Sequence, residues 1–149
     1  MRKLTTILAT AVLGLLANAN PAQAADKGMM HCFAYTVIPE ATDADWKAFY
    51  AATEAMPKKI KEVKKVWYGK LRSPLNQYRM PAADSKKFAD GPTAAVTATR
   101  VQRTQGVCML LASEAALKTY ATNPYHKEWL ATYEKVRVAG TTTYDILVQ

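Results

Sequence analysis

The chain has 149 residues, half of them hydrophobic and 21% charged, and its 20 lysines and arginines against 12 acidic residues give a formal net charge of +8. That apolar content excludes a disordered chain. The basic balance comes without a recognised nucleic-acid motif, so no nucleic acid is expected among the partners, and the lysines from Lys58 to Lys65 read as the solvated face of a helix.

Residues 1–24 open with Arg2 and Lys3, continue through an apolar stretch from Leu4 to Ala17, and end on Ala22-Gln23-Ala24. This is the pattern of a secretory signal peptide cleaved after Ala24. The stretch is too short and too polar for a membrane span, so no stable membrane insertion is expected after cleavage. The expected product is an exported, periplasmic or secreted, domain of residues 25–149 with a formal charge of +6. One domain of that length can bury a core.

Met29 to Ile38 reads as a strand that stops at Pro39, with His31, Phe33, Tyr35 and Val37 on one face and Cys32, Ala34 and Thr36 on the other. Thr42 caps a helix carrying Trp46, Phe49, Tyr50 and Thr53, which Pro57 is expected to end or kink. A second strand spans Val66 to Gly69 and a third runs from about Gln105 to Leu111. Between them, residues 72–104 hold Pro74, Pro81, Gly91 and Pro92 and read as a long insertion, whose end near Val96 to Val101 becomes extended and whose Tyr78, Met80 and Phe88 are expected to fold over a pocket mouth or a partner subunit. Ser113 caps a helix with Leu117 and Tyr120. Asn123-Pro124 restarts helix to about Val138, with His126, Trp129, Leu130 and Tyr133 on one inward face, and Gly140 ends it. Thr142 to Val148 is the last strand. The order β-α-β-β-α-β is that of the ferredoxin-like α+β fold, a four-stranded antiparallel sheet with helices on one side.

Cys32 and Cys108 fall in strands of an exported chain, where one disulfide is permitted, yet two buried thiols acting as small apolar residues are the favoured reading. Met29, Met30, His31 and Cys32 together invite copper, but neighbouring strand residues face opposite ways, so no metal site is expected. No cofactor motif is present. The two histidines, His31 and His126, both lie on inward faces. His126 sits in the first turn of its helix, where the dipole disfavours imidazolium and keeps a neutral base. Tyr120, on the same inward side, is a phenol able to hydrogen-bond a carbonyl.

These residues resemble the stress-responsive α/β-barrel (Dabb) family from His31 to about Val148, apart from the insertion. The resemblance rests on His31 and its strand, on Val66-Trp67-Tyr68-Gly69-Lys70, on Ser113-Glu114-Ala115-Ala116-Leu117 leading to Tyr120, and above all on Asn123-Pro124-Tyr125-His126. It implies a homodimer, two sheets closing into a dimeric α/β barrel, with a pocket between sheet and helices in each subunit. It also implies catalytic roles for Tyr120 and His126, as in polyketide-cyclising relatives, with His31 in the same pocket. Gln105 departs from the Tyr or His that relatives often carry, and the insertion is longer than usual.

Three functions follow as expectations. The first is a small-molecule-binding dimer holding an apolar or aromatic ligand among Phe33, Tyr35, Trp46, Gln105, Trp129 and Tyr133. The second is a cofactor-free lyase or cyclase in which Tyr120 polarises a ketone, His126 removes a proton and His31 orients the substrate, giving aldol-type ring closure. In the third, a structural role, the inward aromatics are core and the insertion does the work.

Overall fold

The computed structural model describes residues 28–91 and 95–148; the expected signal segment lies outside them. The apolar run after Gly28 forms β1 (Met29–Tyr35). Thr42 then accepts the Asp45 amide while the Asp45 carboxylate accepts the Thr42 amide, a reciprocal cap that starts α1 (Asp43–Lys59). Pro57 neither ends nor visibly breaks this helix. It sits in the last turn, where its missing N–H costs one bond, and the fully buried Met56 and Ile60 beside it hold the turn against the core.

The chain returns as β2 (Val63–Arg79), far longer than the expected four residues, and pairs throughout with β3 (Thr99–Leu111). The expected insertion is therefore largely regular structure: a hairpin ribbon continues past the sheet and is closed by α2 (Ala82–Asp90). Two irregularities interrupt the ladder, a small one between Val63 and Lys65 and a larger one past Lys70. Lys70 pairs with Gln105 and Leu75 with Arg103, so 71–74 bulge, and Pro74 sits there, where no ladder amide is required. β3 feeds α3 (Ala116–Thr122), then α4 (Pro124–Tyr133) and β4 (Thr142–Leu147). Ser113 helps start α3 by accepting the Ala116 amide at 3.2 Å, although Ala115 is the residue in the capping position.

α4 stops at Tyr133 and not near Val138 because residues 136–138 find strand-like partners: Ile38 N–H donates to Val136 O and Val138 N–H to Thr36 O. Tertiary pairing overrides the helical period here. Gly140, φ 91°, makes the turn into β4 and is not a helix stop.

All neighbouring strands are antiparallel in the order β2-β3-β1-β4, so this is the expected ferredoxin-like α+β fold with four helices. The core lies between the sheet and α1, α3 and α4, with Phe33, Tyr35, Phe49, Met109 and Trp129 at its centre. Thr53 ties two helices within it: its hydroxyl donates to Phe49 O at 2.8 Å and accepts the Trp129 indole N–H at 2.9 Å.

The other face of the sheet has no helix over it. At its middle Cys32 and Cys108, directly opposite in the β1–β3 register, form a disulfide, correcting the expectation of two free thiols. Direct cross-strand pairing brought the sulfurs together, which the spacing of 76 residues did not reveal. Bonding also removes Cys32 from any copper ligand set. Around the bridge, Trp67, Tyr144 and Ile146 are 42%, 48% and 49% exposed.

Candidate functional site

β1 presents His31 and Phe33 toward the helices, and the adjacent β4 places Asp145 opposite His31 and Thr143 opposite Phe33. From above, Asn123 caps α4 by accepting the Tyr125 amide at 2.9 Å, with Pro124 in the first helical position, as the sequence leads one to expect. This start sets the phase that turns His126, Trp129 and Tyr133 inward. Tyr120 comes down from α3. These side chains, with Leu130, Arg137 and Thr141, line one cleft of about 150 Å³ between sheet and helices. That volume is below the roughly 300 Å³ of ordinary small-molecule pockets and matches a space that accepts one aromatic ring.

At one end three polar rings meet. The Tyr120 ring lies 4.4 Å from His126 and 5.8 Å from His31, centroid to centroid. His31 Nδ1 donates to Asp145 Oδ1 at 2.6 Å, which orients the ring and leaves Nε2 for the cleft. His126 Nδ1 stands 3.2 Å from the Ala121 carbonyl, which can only accept, so the neutral ring carries its proton on Nδ1 and its lone pair on Nε2. Burial lowers the His126 pKa from its ordinary value; the Ala121 contact opposes this weakly and His31 adds to it. The neutral base foreseen from the helix dipole is thus a neutral base chiefly because of desolvation. Burial, aided by nearby Tyr133, raises the Tyr120 pKa well above the ordinary phenol value, so this hydroxyl stays protonated and serves as a donor.

The middle of the cleft is aromatic. Phe33 meets Trp129 edge-on at 5.7 Å, and Trp129 stacks on Tyr133 at 4.9 Å. At the far end the Arg137 guanidinium lies 4.6 Å above the Tyr133 ring. Burial pushes the Tyr133 phenol up to about 12, against the Thr141 hydrogen bond and the charges of Arg137 and Arg103, which pull it down.

The structure therefore brings together His31, Phe33, Tyr120, His126, Trp129 and Tyr133 from the expected set. Three others lie elsewhere. Tyr35 is core, edge-on to Phe49 and Tyr133. Trp46 packs on Phe49 and Tyr50 and faces a shallow groove on the outer side of α1. Gln105 pairs across the sheet with Tyr35 and Lys70, away from the cleft. Sequence reasoning missed Asp145 and Arg137. The alternation of the last strand carried a signal for the first, since Asp145 shares a face with Thr143. Nothing local signalled Arg137, which reaches the cleft only because α4 ends early.

The ribbon does not cover the cleft mouth as expected. α2 buries none of its residues, and Tyr78 and Phe88 are exposed. Its base instead docks on the strand ends: Thr142 Oγ1 donates to Gln77 Oε1 at 2.8 Å, and Arg103 reaches Thr142 and Thr36, each at 3.3 Å.

No family model and no curated protein matches the chain. Solved structures do. A Dabb family protein with a ferredoxin-like fold from Mesorhizobium loti aligns over 83% of this chain and 99% of its own, with a TM-score of 0.53 and 14% identity. A dimeric ferredoxin-like protein of unknown function from Thermobifida fusca aligns over 83% and 92%, with 0.54 and 16%. A hydroxynitrile lyase from Passiflora edulis aligns over 83% and 94%, with 0.55 and 12%. At these identities the likeness is one of fold.

Proposed function

We propose that the protein is an exported homodimer that binds a small, largely apolar or aromatic ligand in the cleft between sheet and helices. The observation that carries this is the cleft's division into an aromatic waist of Phe33, Trp129 and Tyr133 and a polar end of His31, Tyr120 and His126. Aromatic walls supply affinity, and a few directed polar groups orient the ligand. Export is supported by the Cys32–Cys108 disulfide, which persists in oxidising compartments. The homodimer is supported by the uncovered sheet face, where Trp67 and Tyr144 flank a groove of about 210 Å³ over Gly69 and Gly106 that a knob from a second sheet would fill. Structural neighbours are described as dimeric. Mass spectrometry of small molecules copurifying with the protein tests the ligand, with Trp129 fluorescence as the binding readout. A bound species lost in Phe33→Ala and Trp129→Phe is expected; a ligand-free protein whose fluorescence answers no aromatic probe defeats the proposal.

A second reading, a cofactor-free lyase or cyclase, is favoured by one observation: a phenol that burial keeps protonated and an imidazole that burial keeps neutral line the same cleft, their ring centres 4.4 Å apart. Tyr120 would hold a ketone oxygen while His126 Nε2 takes the neighbouring proton; the resulting enolate would close on a second carbonyl of the same molecule, and the alkoxide formed there would take the proton back from His126, giving the cyclic aldol with nothing lost. His31, held by Asp145, would orient the substrate. Turnover of a short aromatic-forming polyketone should fall at least about 100-fold in His126→Gln and Tyr120→Phe. Equal rates in both variants would leave the binding role alone.

A further inference from the structure

Among the described residues, three buried side-chain polar atoms lack a hydrogen-bond partner, and two of them are arginine nitrogens flanking Tyr133: Arg103 Nη2 and Arg137 Nε. Arg103 is 1% exposed. Its two hydrogen bonds go to neutral threonine hydroxyls, and the nearest charges acting on it are cations, Arg79 and Arg137. Arg137 has one acidic neighbour, Glu134 at 3.8 Å, whose side chain is mostly exposed. The Arg137 side chain itself is only 16% exposed and lines the cleft. Arg79 reaches the same corner, its Nη2 lying 2.9 Å from where a Cβ on Gly140 would stand. Arg79 itself is exposed, but Arg103 and Arg137 keep buried donors unsatisfied beside each other, which is costly unless an anion completes the arrangement.

We infer that the cleft ligand carries a carboxylate, received at the Tyr133 end by Arg137 with Arg103 and Arg79 behind it. The inference rests on the ligand-binding reading above and adds the ligand's class. Arg103 and Arg79 come from the ribbon, which gives that long extension a purpose: it delivers positive charge to one end of the cleft. Thr141, just before β4, and Asp145 within it are four residues apart, so the arginine end and the His31 end are separated by about 13 Å. One aromatic ring with a carboxylate on a short chain spans that interval and suits the cleft's width.

The test uses 3-phenylpropionate and its neutral analogue 3-phenylpropan-1-ol, titrated calorimetrically into the wild-type protein, Arg137→Gln and Arg103→Gln, each checked for folding by circular dichroism. A parallel thermal-melt series compares acetate with chloride at equal ionic strength. The acid should bind wild type about tenfold or more tighter than the alcohol, with the ratio falling toward one in Arg137→Gln while alcohol binding persists. Equal binding of acid and alcohol, or a ratio unmoved in Arg137→Gln, overturns the inference and leaves the cleft reading standing. Neither probe binding, with acetate still raising the melting temperature of wild type but not of Arg137→Gln, supports the anion site and removes the aromatic cleft. No probe binding and no acetate effect overturns both.

Discussion

The two faces of the single sheet are built alike and finished differently. The face under the helices holds Phe33, Val107 and Met109, all nearly or fully buried, locked by aromatic packing and by the Thr53–Trp129 hydrogen bond. The open face carries equally apolar residues, Trp67, Tyr144 and Ile146, and leaves them about half exposed around a disulfide. Burial is what makes apolar strand residues stabilising, so the first face is completed by its own chain and the second needs a covering from outside. The cleft lies on the completed face and is framed by packed helices and strands, whereas the open face is the surface that the proposed homodimer would cover.

The comparison is broken most severely on the covered face. Trp129→Ala removes a fully buried ring and the indole N–H that Thr53 accepts, and should cost roughly 3–5 kcal/mol in chemical denaturation. On the open face, replacing both Cys32 and Cys108 by serine releases a cross-link closing 76 residues of chain. Constraint of the unfolded chain predicts a loss of about 4 kcal/mol, which a matched reducing-agent titration checks. A smaller effect sharpens the contrast. Ile146→Glu should raise the dimer dissociation constant about 10- to 100-fold in sedimentation equilibrium, while changing monomer stability by no more than about 0.5 kcal/mol. A variant that stays dimeric would remove assembly from the open face.

The pH prediction concerns the cleft. The folded-state pKa of His126 lies below its ordinary 6.5, so between those two values the unfolded chain binds more protons than the folded one. Stability therefore falls as pH drops below about 6.5 and levels off once both states are protonated. His126→Gln should flatten that part of the stability profile, measured by denaturant midpoints at stepped pH. The smallest change is expected from replacing residues 80–98 by a two-residue turn. α2 buries nothing, so stability should shift by about 0.5 kcal/mol or less. Because Arg79 and Arg103 remain, ligand preference should be retained.

How much of this was legible beforehand depends on the range of the interaction. The caps at Thr42 and Asn123, the inward stripe of His126, Trp129 and Tyr133, and the alternation in β1 are local patterns that follow from helix and strand periods. Element order pointed to the fold, and the meeting of His31, Tyr120 and His126 was expected from the family resemblance. The 72–104 segment misled because prolines and polar residues mark loops on average, while a bulge can absorb Pro74 and a two-sided exposed ribbon needs no apolar alternation. Trp46 and Tyr35 read as pocket residues because both are aromatic and amphipathically placed, yet the crossing of α1 over the sheet sends one to the outer groove and the other into the core.

The sequence by itself determined the secondary-structure order and the covered face of most elements, His31 and His126 among the inward residues, because those depend on neighbours a few residues away. Only the tertiary structure decided three things. It brought Cys32 and Cys108 into direct opposition, set Asp145 behind His31, and ended α4 at Tyr133 so that Arg137 turns into the cleft beside Arg103. Each depends on the register between segments distant in sequence. Register is set by the summed packing and hydrogen bonding of whole strands and is not written in any one of them.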